Sequence, residues 1–200
     1  MVEVTAPQEG AAWTISPPTP WDTSSVAGLL AIVREDRAAR SAGWHLPGFQ
    51  ALVVHRFGEW SSSDGFPRLL RRPATMLYYF LRSYVRNVLG IEIGKTVRVG
   101  RRVKFYHQHG VVIEGSVAIG DDCVFHHGVT LATNYRADSP RSQFHSPQVG
   151  SRVTFGAGCV VLGGVRIGDG ATIGPNAVVR KDVPPGASAV AQPARILRLR

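Results

Sequence analysis

The sequence predicts a mainly β fold, a parallel β-helix of hexapeptide repeats preceded by a small α-helical region. The first observation is a period of six: from residue 91 to residue 182, an aliphatic or aromatic residue returns at every sixth position and is often followed by glycine. The periodic residues are Ile93, Val99, Phe105, Ile113, Ile119, Phe125, Leu131, Val149, Phe155, Val161, Ile167, Ile173 and Val179. A period of six fits neither an α-helix nor a simple strand, and three hexads form one triangular coil with the periodic side chain inside. We therefore expect a β-helix over residues 91–186.

The second observation is that this pattern is interrupted twice, and a repeat scaffold that departs from its own spacing usually forms a functional loop. The step after Phe105 is eight residues, so two extra residues lie within 106–110. Between Leu131 and Val149, residues 134–147 lose the pattern and predict an excursion loop. Five of the seven histidines lie in or between the interruptions: His107, His109, His126, His127 and His145.

The third observation is the helical spacing of apolar residues before the repeat, over residues 23–90. Helices are expected to begin near Ser24, near Gly48 and at Pro67, and Pro73 is expected to divide the last one. Their apolar faces should pack on one another and on the first coil of the β-helix, whose end would otherwise be exposed.

The two ends of the chain look different from the rest. Residues 1–22 contain four prolines among Thr, Ser and Gly, which predicts a mostly disordered tail. Residues 187–200 are expected to leave the β-helix as a C-terminal segment. No apolar run approaches the roughly 20 residues of a membrane span, and the N-terminus lacks the basic and apolar regions of a signal peptide. We therefore expect a cytoplasmic protein without a membrane partner.

The net charge is +9, carried by twenty arginines and three lysines. No recognition helix or aromatic-basic motif accompanies this charge, so we expect no nucleic-acid partner; a phosphate-rich small ligand explains the charge at least as well. The two cysteines, Cys123 and Cys159, lie in no CxxC or nucleophile motif. Both take the fourth position after a periodic residue, which favours small core residues over a redox or metal role.

Several motifs, in this order, resemble the hexapeptide-repeat acyltransferases, and among them the serine O-acetyltransferases. The resemblance runs from about Asp36 to Arg195 and rests on EDRAARSAGWHLPGFQALVVHRFGEW, GIEI, HQHGVVI, GVTL, IGDGATIGPNAVVRKDVPPG and PAR. It implies a left-handed β-helix and an acetyl-CoA-dependent O-acetyltransferase that requires no metal. It also implies a homotrimer or a dimer of trimers, and the short helical region favours the trimer.

The resemblance places the family's general base at His107 and the carboxylate that orients it at Glu92. The chemistry needs such a pair, because a hydroxyl is a weak nucleophile at neutral pH. A neutral imidazole within hydrogen-bond reach can accept its proton as the oxygen attacks the thioester carbonyl. A carboxylate on the other ring nitrogen would fix the tautomer and stabilise the imidazolium. By residue type alone, His107 would be a surface histidine and Glu92 a corner residue bonded to backbone.

The acceptor pocket of the family is matched less well. His145 and Asp36 match acceptor-side residues of the family. However, Tyr106 and Phe144 stand where serine acetyltransferases have an aspartate and an arginine that recognise the amino acid's ammonium and carboxylate. Arg141 lies near enough in the loop to substitute for the missing arginine. L-serine or a serine-like compound is therefore the leading acceptor, which would place the chain in cysteine biosynthesis; a sugar or natural-product hydroxyl is the alternative.

The resemblance also implies that acetyl-CoA lies along the outside of the C-terminal coils between two subunits. The matching positions are Ala157, Pro175, Arg180, Lys181 and Arg195. Small residues would let the pantetheine arm lie against the coil, and the basic side chains would bind the phosphates.

The sequence leaves two other classes of function open. The first is a zinc protein of the γ-carbonic anhydrase type, because His109, His127 and His145 are spaced by eighteen residues, one coil apart. That family's two histidines five residues apart are missing here. The second is a non-catalytic trimeric scaffold, and the presence of both Glu92 and His107 speaks against it.

Overall fold

The structure is a computed structural model that describes residues 13–39, 45–133 and 145–194. Its helices are α1 (Val26–Ala38), α2 (Pro47–Ser62), a short 3₁₀ helix (Arg68–Leu70) and α3 (Arg71–Leu89). The strands that follow are β1 Ile91–Ile93, β2 Arg98–Val99, β3 Lys104–Phe105, β4 Val111–Ile113, β5 Ala118–Ile119, β6 Val124–Phe125, β7 Thr130–Ala132, β8 Gln148–Val149, β9 Thr154–Phe155, β10 Val160–Leu162, β11 Arg166–Ile167, β12 Thr172–Ile173, β13 Val178–Val179 and β14 Ser188–Ala189.

These strands form three parallel sheets. Sheet A has the order β1-β4-β7-β10-β13, sheet B has β2-β5-β8-β11 and sheet C has β3-β6-β9-β12-β14. The chain passes from A to B to C and back to A, and so completes about four turns of a triangular prism. The predicted fold class, a parallel β-helix preceded by helices, is confirmed.

The prism has three corners, each a column of turns that join one sheet to the next. Among the described residues, the A–B corner contains 94–97, 114–117, 133, 145–147, 163–165 and 180–182. The B–C corner contains 100–103, 120–123, 150–153, 168–171 and 184–187, and the C–A corner contains 106–110, 126–129, 156–159 and 174–177. The eight-residue step therefore falls at the C–A corner. Residues 133 and 145, which flank residues 134–144 outside the described part, both lie at the A–B corner.

The periodic residues fill the inside of the prism, and each is at most 6% exposed. The rings of Phe105, Phe125 and Phe155 stack with centroids 5.0 and 4.6 Å apart. Cys123 and Cys159 are fully buried and unpaired, and burial raises the pKa of both thiols to about 12. Burial of a large apolar side chain contributes roughly 1.5–3 kcal/mol, so the repeat itself supplies the main stabilisation.

The helices begin and end at residues suited to those places. The Ser25 hydroxyl accepts a hydrogen bond from the Gly28 N–H at the start of α1, at 3.0 Å. Gly90 ends α3 in the left-handed conformation, with φ of 66°. Pro73 is the third residue of α3, where an N–H would have no acceptor within the helix. The helix is therefore continuous, and the prediction that Pro73 divides it is wrong.

The helical region covers the first coil of the β-helix, as predicted. Apolar residues of α2 and α3, such as Leu52 and Leu89, belong to the same buried cluster as the coil interior. The guanidinium of Arg56, fully buried, donates to the carbonyl oxygen of Val99 at 2.7 Å and to the Asp36 carboxylate at 3.0 Å. Helix α2 therefore satisfies backbone carbonyls at the end of the prism that would otherwise lack partners.

The disordered tail was a wrong prediction for residues 13–22, which are described and extended. The Ser16 N–H donates to the Asp169 carboxylate at 3.0 Å, and the Thr19 N–H donates to Asp121 at 3.1 Å. Both aspartates lie at the B–C corner, so this segment, which we call the strap, follows that corner along the prism. Prolines keep the strap extended, and the aspartates accept hydrogen bonds from its free N–H groups. Residues 1–12 lie outside the described part.

The C-terminal end also differs from the prediction. Strand β14 pairs with β12, so the β-helix continues beyond the expected end at residue 186. Pro184 and Gly186 form a further corner instead of a terminus, since the Ala187 N–H donates to the Pro184 carbonyl. Of the helices in the described part, none is long and apolar enough to span a bilayer.

Candidate active site

The two extra residues make the first C–A turn bulge outward. Residues 106–110 are all exposed. His107 and His109 have positive φ values of 64° and 81°, and Gly110 has 73°. Ordinary turns at the C–A and B–C corners have one residue with positive φ each, for example Arg102, Asp122 or Asn176, so the turn at 106–110 differs in having three. Left-handed backbone at a non-glycine residue costs on the order of 1 kcal/mol, and a concentration of such residues is often found at functional sites. The interruption found in the sequence is therefore a strained, exposed turn that presents a histidine.

The ring of His107 lies among other aromatic rings of the next turn. Its centroid is 6.3 Å from that of His126 and 6.0 Å from that of His127. Tyr106 lies 6.0 Å from His126. The side chains of Tyr106, His107, His126 and His127 form no hydrogen bond or ion pair within residues 13–39, 45–133 and 145–194. Their polar atoms are available to a ligand.

Glu92 lies on β1 of sheet A and is held from α3. Its Oε1 atom is 2.9 Å from a guanidinium nitrogen of Arg82 and 3.8 Å from one of Arg86. The same Arg82 donates to the carbonyl oxygen of Ile93 at 3.3 Å. Among the described residues, no hydrogen bond joins Glu92 to His107, and Oε2 has no recorded partner.

The structure does not bring the predicted acceptor residues together in one chain. His145 lies at the A–B corner and packs against Gly164. A Cβ atom added to Gly164 would lie only 2.5 Å from the Cβ of His145. Asp36 is 1% exposed and pairs with Arg56, and its Oδ1 accepts from the Arg102 N–H at the B–C corner. Tyr106 is at the C–A corner. Phe144 and Arg141 lie outside the described residues.

The predicted acetyl-CoA positions likewise divide between two corners. Ala157 and Pro175 lie at the C–A corner, in the same column as His109 and His127. Arg180 and Lys181 lie at the A–B corner. There they line a cleft of about 310 Å³ together with residues 162–165 and Asp182. Arg195 lies outside the described residues.

Sequence reasoning missed the arginines that hold Glu92. Arg82 falls on the buried stripe of α3, with Tyr78, Val85 and Leu89 at helical spacing. A charged residue on an apolar stripe is a signal for a specific partner. The spacing does not identify this partner as Glu92, because the pairing depends on how α3 docks on β1.

The described histidines, cysteines and carboxylates include no group of three or more that could hold a metal ion. His109 and His127 stack in one column at the C–A corner, but His145 lies at the A–B corner. The eighteen-residue spacing therefore does not place the three imidazoles together in one chain, and the zinc reading gains no support.

Comparison with known proteins identifies the family. Residues 146–181 match the family model "Bacterial transferase hexapeptide (six repeats)". The serine acetyltransferase of Helicobacter pylori strain 26695 is 35% identical over 173 residues, which cover 84% of this chain and 94% of that protein. The serine acetyltransferase of Mycobacterium tuberculosis is 38% identical over 151 residues, 76% of this chain and 61% of that protein. The chain thus spans about three fifths of the mycobacterial relative.

Solved structures agree with the sequence matches. The Neisseria gonorrhoeae serine acetyltransferase in complex with serine superposes with a TM-score of 0.62 at 27% identity, over 85% of this chain and 69% of that one. The Brucella abortus serine acetyltransferase gives a TM-score of 0.67 at 24% identity, over 86% and 70%. Since the H. pylori relative is matched over nearly its whole length, this chain belongs to the serine acetyltransferase family and is a hexapeptide-repeat acyltransferase.

Proposed function

We propose that this protein transfers an acetyl group from acetyl-CoA to the hydroxyl of L-serine or a serine-like acceptor, with His107 as general base. The observation that carries the proposal is the strained, exposed turn at 106–110, which presents a histidine at the position of the family's base. Family membership through relatives named serine acetyltransferase supports the acceptor.

The proposed reaction is a direct transfer of the acetyl group from CoA to the acceptor hydroxyl. One ring nitrogen of His107 accepts the hydroxyl proton as the acceptor oxygen attacks the thioester carbonyl carbon. The carbon–sulfur bond then breaks, and the imidazolium returns the proton to the sulfur. The products are the O-acetyl ester and free CoA. The absence of recorded polar partners for the His107 ring in the described residues supports this role, because the base must be accessible to its substrate.

Glu92 is the proposed orienting carboxylate. Its recorded contacts, to Arg82 and Arg86, both use Oε1. This leaves Oε2 for the second ring nitrogen of His107. Arg82 would then keep the carboxylate ionised and fixed in direction while it stabilises the imidazolium.

We propose that the complete site forms between two copies in a homotrimer. His107, Ala157 and Pro175 are at the C–A corner, whereas His145, Arg180 and Lys181 are at the A–B corner, across sheet A. Convex corners of one prism cannot enclose a substrate. The A–B corner of a neighbour beside the C–A corner would supply the missing half, and Arg195, Phe144 and Arg141 stay proposed members of that half.

A sugar or natural-product hydroxyl is the second candidate acceptor, and one observation favours it. The exposed ring of Tyr106 pairs with His126 at 6.0 Å, beside His107. Such a pair offers an aromatic platform for a sugar ring, whereas serine recognition in the family uses an aspartate at the position of Tyr106. The buried pairing of Asp36 with Arg56 also leaves that carboxylate little freedom to bind serine.

The cytoplasm stays the proposed compartment. Cys123 and Cys159 are both free, which fits a reducing environment. Their burial and raised pKa also mean that a colorimetric thiol reagent will report released CoA with little background from the protein.

The test is thiol release from acetyl-CoA with L-serine and then with a panel of hydroxylated acceptors. Robust release with serine supports the first candidate, and release only with another alcohol supports the second. Glu92→Gln should lower turnover, whereas Gln108→Ala, an exposed neighbour in the same turn, serves as the matched control. Full turnover by Glu92→Gln would reject the proposed pair, and silence with every acceptor would reject the acyl transfer.

A further inference from the structure

Helix α3 has a second apolar face that the fold does not use. Eight of the thirteen exposed large hydrophobic side chains of the described part lie between residues 69 and 88. We call the following set the outer face: Leu69, Leu70, Met76, Leu77, Phe80, Tyr84 and Val88. Met76 is 74% exposed and Phe80 is 72% exposed. Scattered surface hydrophobics are ordinary, but a contiguous patch marks an interaction surface.

The arrangement is helical and separate from the packed side. Met76, Phe80, Tyr84 and Val88 follow one another at four-residue steps and so share one stripe of the helix. The packed stripe, with Ala74, Tyr78, Val85 and Leu89 buried, faces α2 and β1. A groove of about 280 Å³ between α3 and α2 continues the outer face; it is lined mainly by apolar residues, Val53, Val54, Leu81, Tyr84 and Val85, together with Gln50.

The charge beside the outer face has one sign. Residues 65–91 contain five arginines and no acidic residue. Arg82 and Arg86 lie 2.9 and 3.8 Å from the Glu92 carboxylate, whereas Arg68 and Arg72 form no ion pair in the described part and are exposed. Arg72 and Arg86 are fourteen residues apart on α3, close to four helical turns, so they lie along the same edge of the apolar stripe. Arg68 precedes them in the 3₁₀ helix.

We propose that the outer face binds an anionic lipid surface, with α3 lying in the plane of the interface. An exposed apolar stripe edged by arginines is the pattern of interfacial helices, in which apolar side chains enter the acyl boundary and arginines contact phosphates. A second copy of this chain fits less well, because pairing along this face would bring two arginine-rich, acid-free helices together. The prediction from sequence, which expected no membrane partner, considered only spans and signal peptides.

This surface is next to the proposed catalytic carboxylate. Gly90 ends α3, and Glu92 follows two residues later on β1, held by Arg82 of the same helix. A chain bound through α3 would therefore carry the proposed C–A site close to the membrane. The lipid proposal itself does not depend on the acyl-transfer proposal, because its test measures binding alone.

The experiment is vesicle sedimentation of the full chain with phosphatidylcholine alone and with phosphatidylcholine plus phosphatidylglycerol. We expect binding to the anionic vesicles, reversal by high salt and weak binding to the neutral ones. Met76→Ser with Phe80→Ser should lower binding on the order of tenfold or more, since two large apolar side chains are lost. Arg68→Gln with Arg72→Gln should lower it roughly thirtyfold. Val190→Ser, which removes an exposed hydrophobic residue at the other end of the prism, is the matched control.

Far-UV circular dichroism establishes that each variant is folded before binding is compared. The proposal is overturned if the wild type stays in the supernatant with anionic vesicles, or if neutral and anionic vesicles bind it equally. It is also overturned if Met76→Ser with Phe80→Ser leaves vesicle binding unchanged. Sedimentation velocity tests the other occupant. If Met76→Ser with Phe80→Ser dissociates an assembly of the wild type, the outer face forms contacts between copies and the lipid proposal is overturned.

Discussion

The B–C and C–A corners are built from the same hexapeptide turns, yet their polar side chains are in opposite situations. At the B–C corner, Arg102 binds Glu35 and Asp122, and Asp121 and Asp169 accept hydrogen bonds from the strap. At the C–A corner, the side chains of His107 and its neighbours have no recorded polar partner in the described ranges. Partners that the fold supplies indicate a structural role for the B–C side chains, whereas the exposed side chains of the turn at 106–110 are free to contact a substrate.

The strongest way to break the B–C corner is to remove one member of its buried ion pair. Asp36→Ala removes the buried carboxylate that pairs with the Arg56 guanidinium and leaves it only the partly exposed carboxylate of Glu59, at 3.2 Å. We expect a loss of about 3–5 kcal/mol in the free energy of unfolding. Urea unfolding measures this loss. Glu35→Gln is the matched control, because substitution of this partly exposed residue should lower the free energy of unfolding by less than about 1 kcal/mol. Equal effects of the two substitutions would contradict the contrast between buried and surface pairs.

A smaller effect is expected where the strap meets the prism. Asp169→Ala removes the acceptor of both the N–H and the hydroxyl of Ser16. We expect about 0.5–1.5 kcal/mol lower stability per lost hydrogen bond and faster proteolytic cleavage within residues 13–22. Asp64→Ala, at an exposed turn, is the control. Cleavage of the strap at the wild-type rate in Asp169→Ala would show that these bonds do not hold it.

The smallest expected effect concerns pH. The hydrogen bond from Arg102 lowers the pKa of Asp122 below its ordinary value of 3.8. A lowered pKa in the folded state contributes stability above the unfolded value, and this contribution is lost as the pH falls through the folded value. Asp122→Asn should therefore destabilise the protein at neutral pH and weaken the decline of stability below about pH 4. Unfolding curves at several pH values measure this, and an unchanged acid slope would contradict it.

The fold was predictable from the sequence because its signal is local. Residues such as Phe125 and Phe155 recur at a fixed step, and that step determines which side chains point inward. The strap was not predictable in this way. Ser16 binds Asp169, 153 residues away, and a proline-rich segment carries no periodic signal of its own. The prediction that Pro73 divides the helix failed for a similar reason. The effect of a proline depends on whether it lies in the first turn or in the interior of the helix, and the sequence did not give the start of α3.

The candidate site was predictable in part. The break in the repeat pointed to the turn that contains His107 and His109. The prediction that His107 and Glu92 form the catalytic pair came from the resemblance of HQHGVVI and GIEI to known motifs. The ion pair between Arg82 and Glu92 depends on how α3 docks on β1, so spacing did not give it. The separation of His107 from His145 follows from the corner that each occupies, which required the strand pairing to be known.

Turnover and thermal unfolding of His107→Ala, measured together, decide whether the C–A corner carries the chemistry. Thiol release with the best acceptor should fall roughly 100- to 10,000-fold. The melting temperature should stay within about 2 °C of the wild type, because the exposed ring forms no hydrogen bond or ion pair with the described residues. Wild-type turnover in His107→Ala would contradict the account. So would a loss of turnover that simply follows a loss of folded protein.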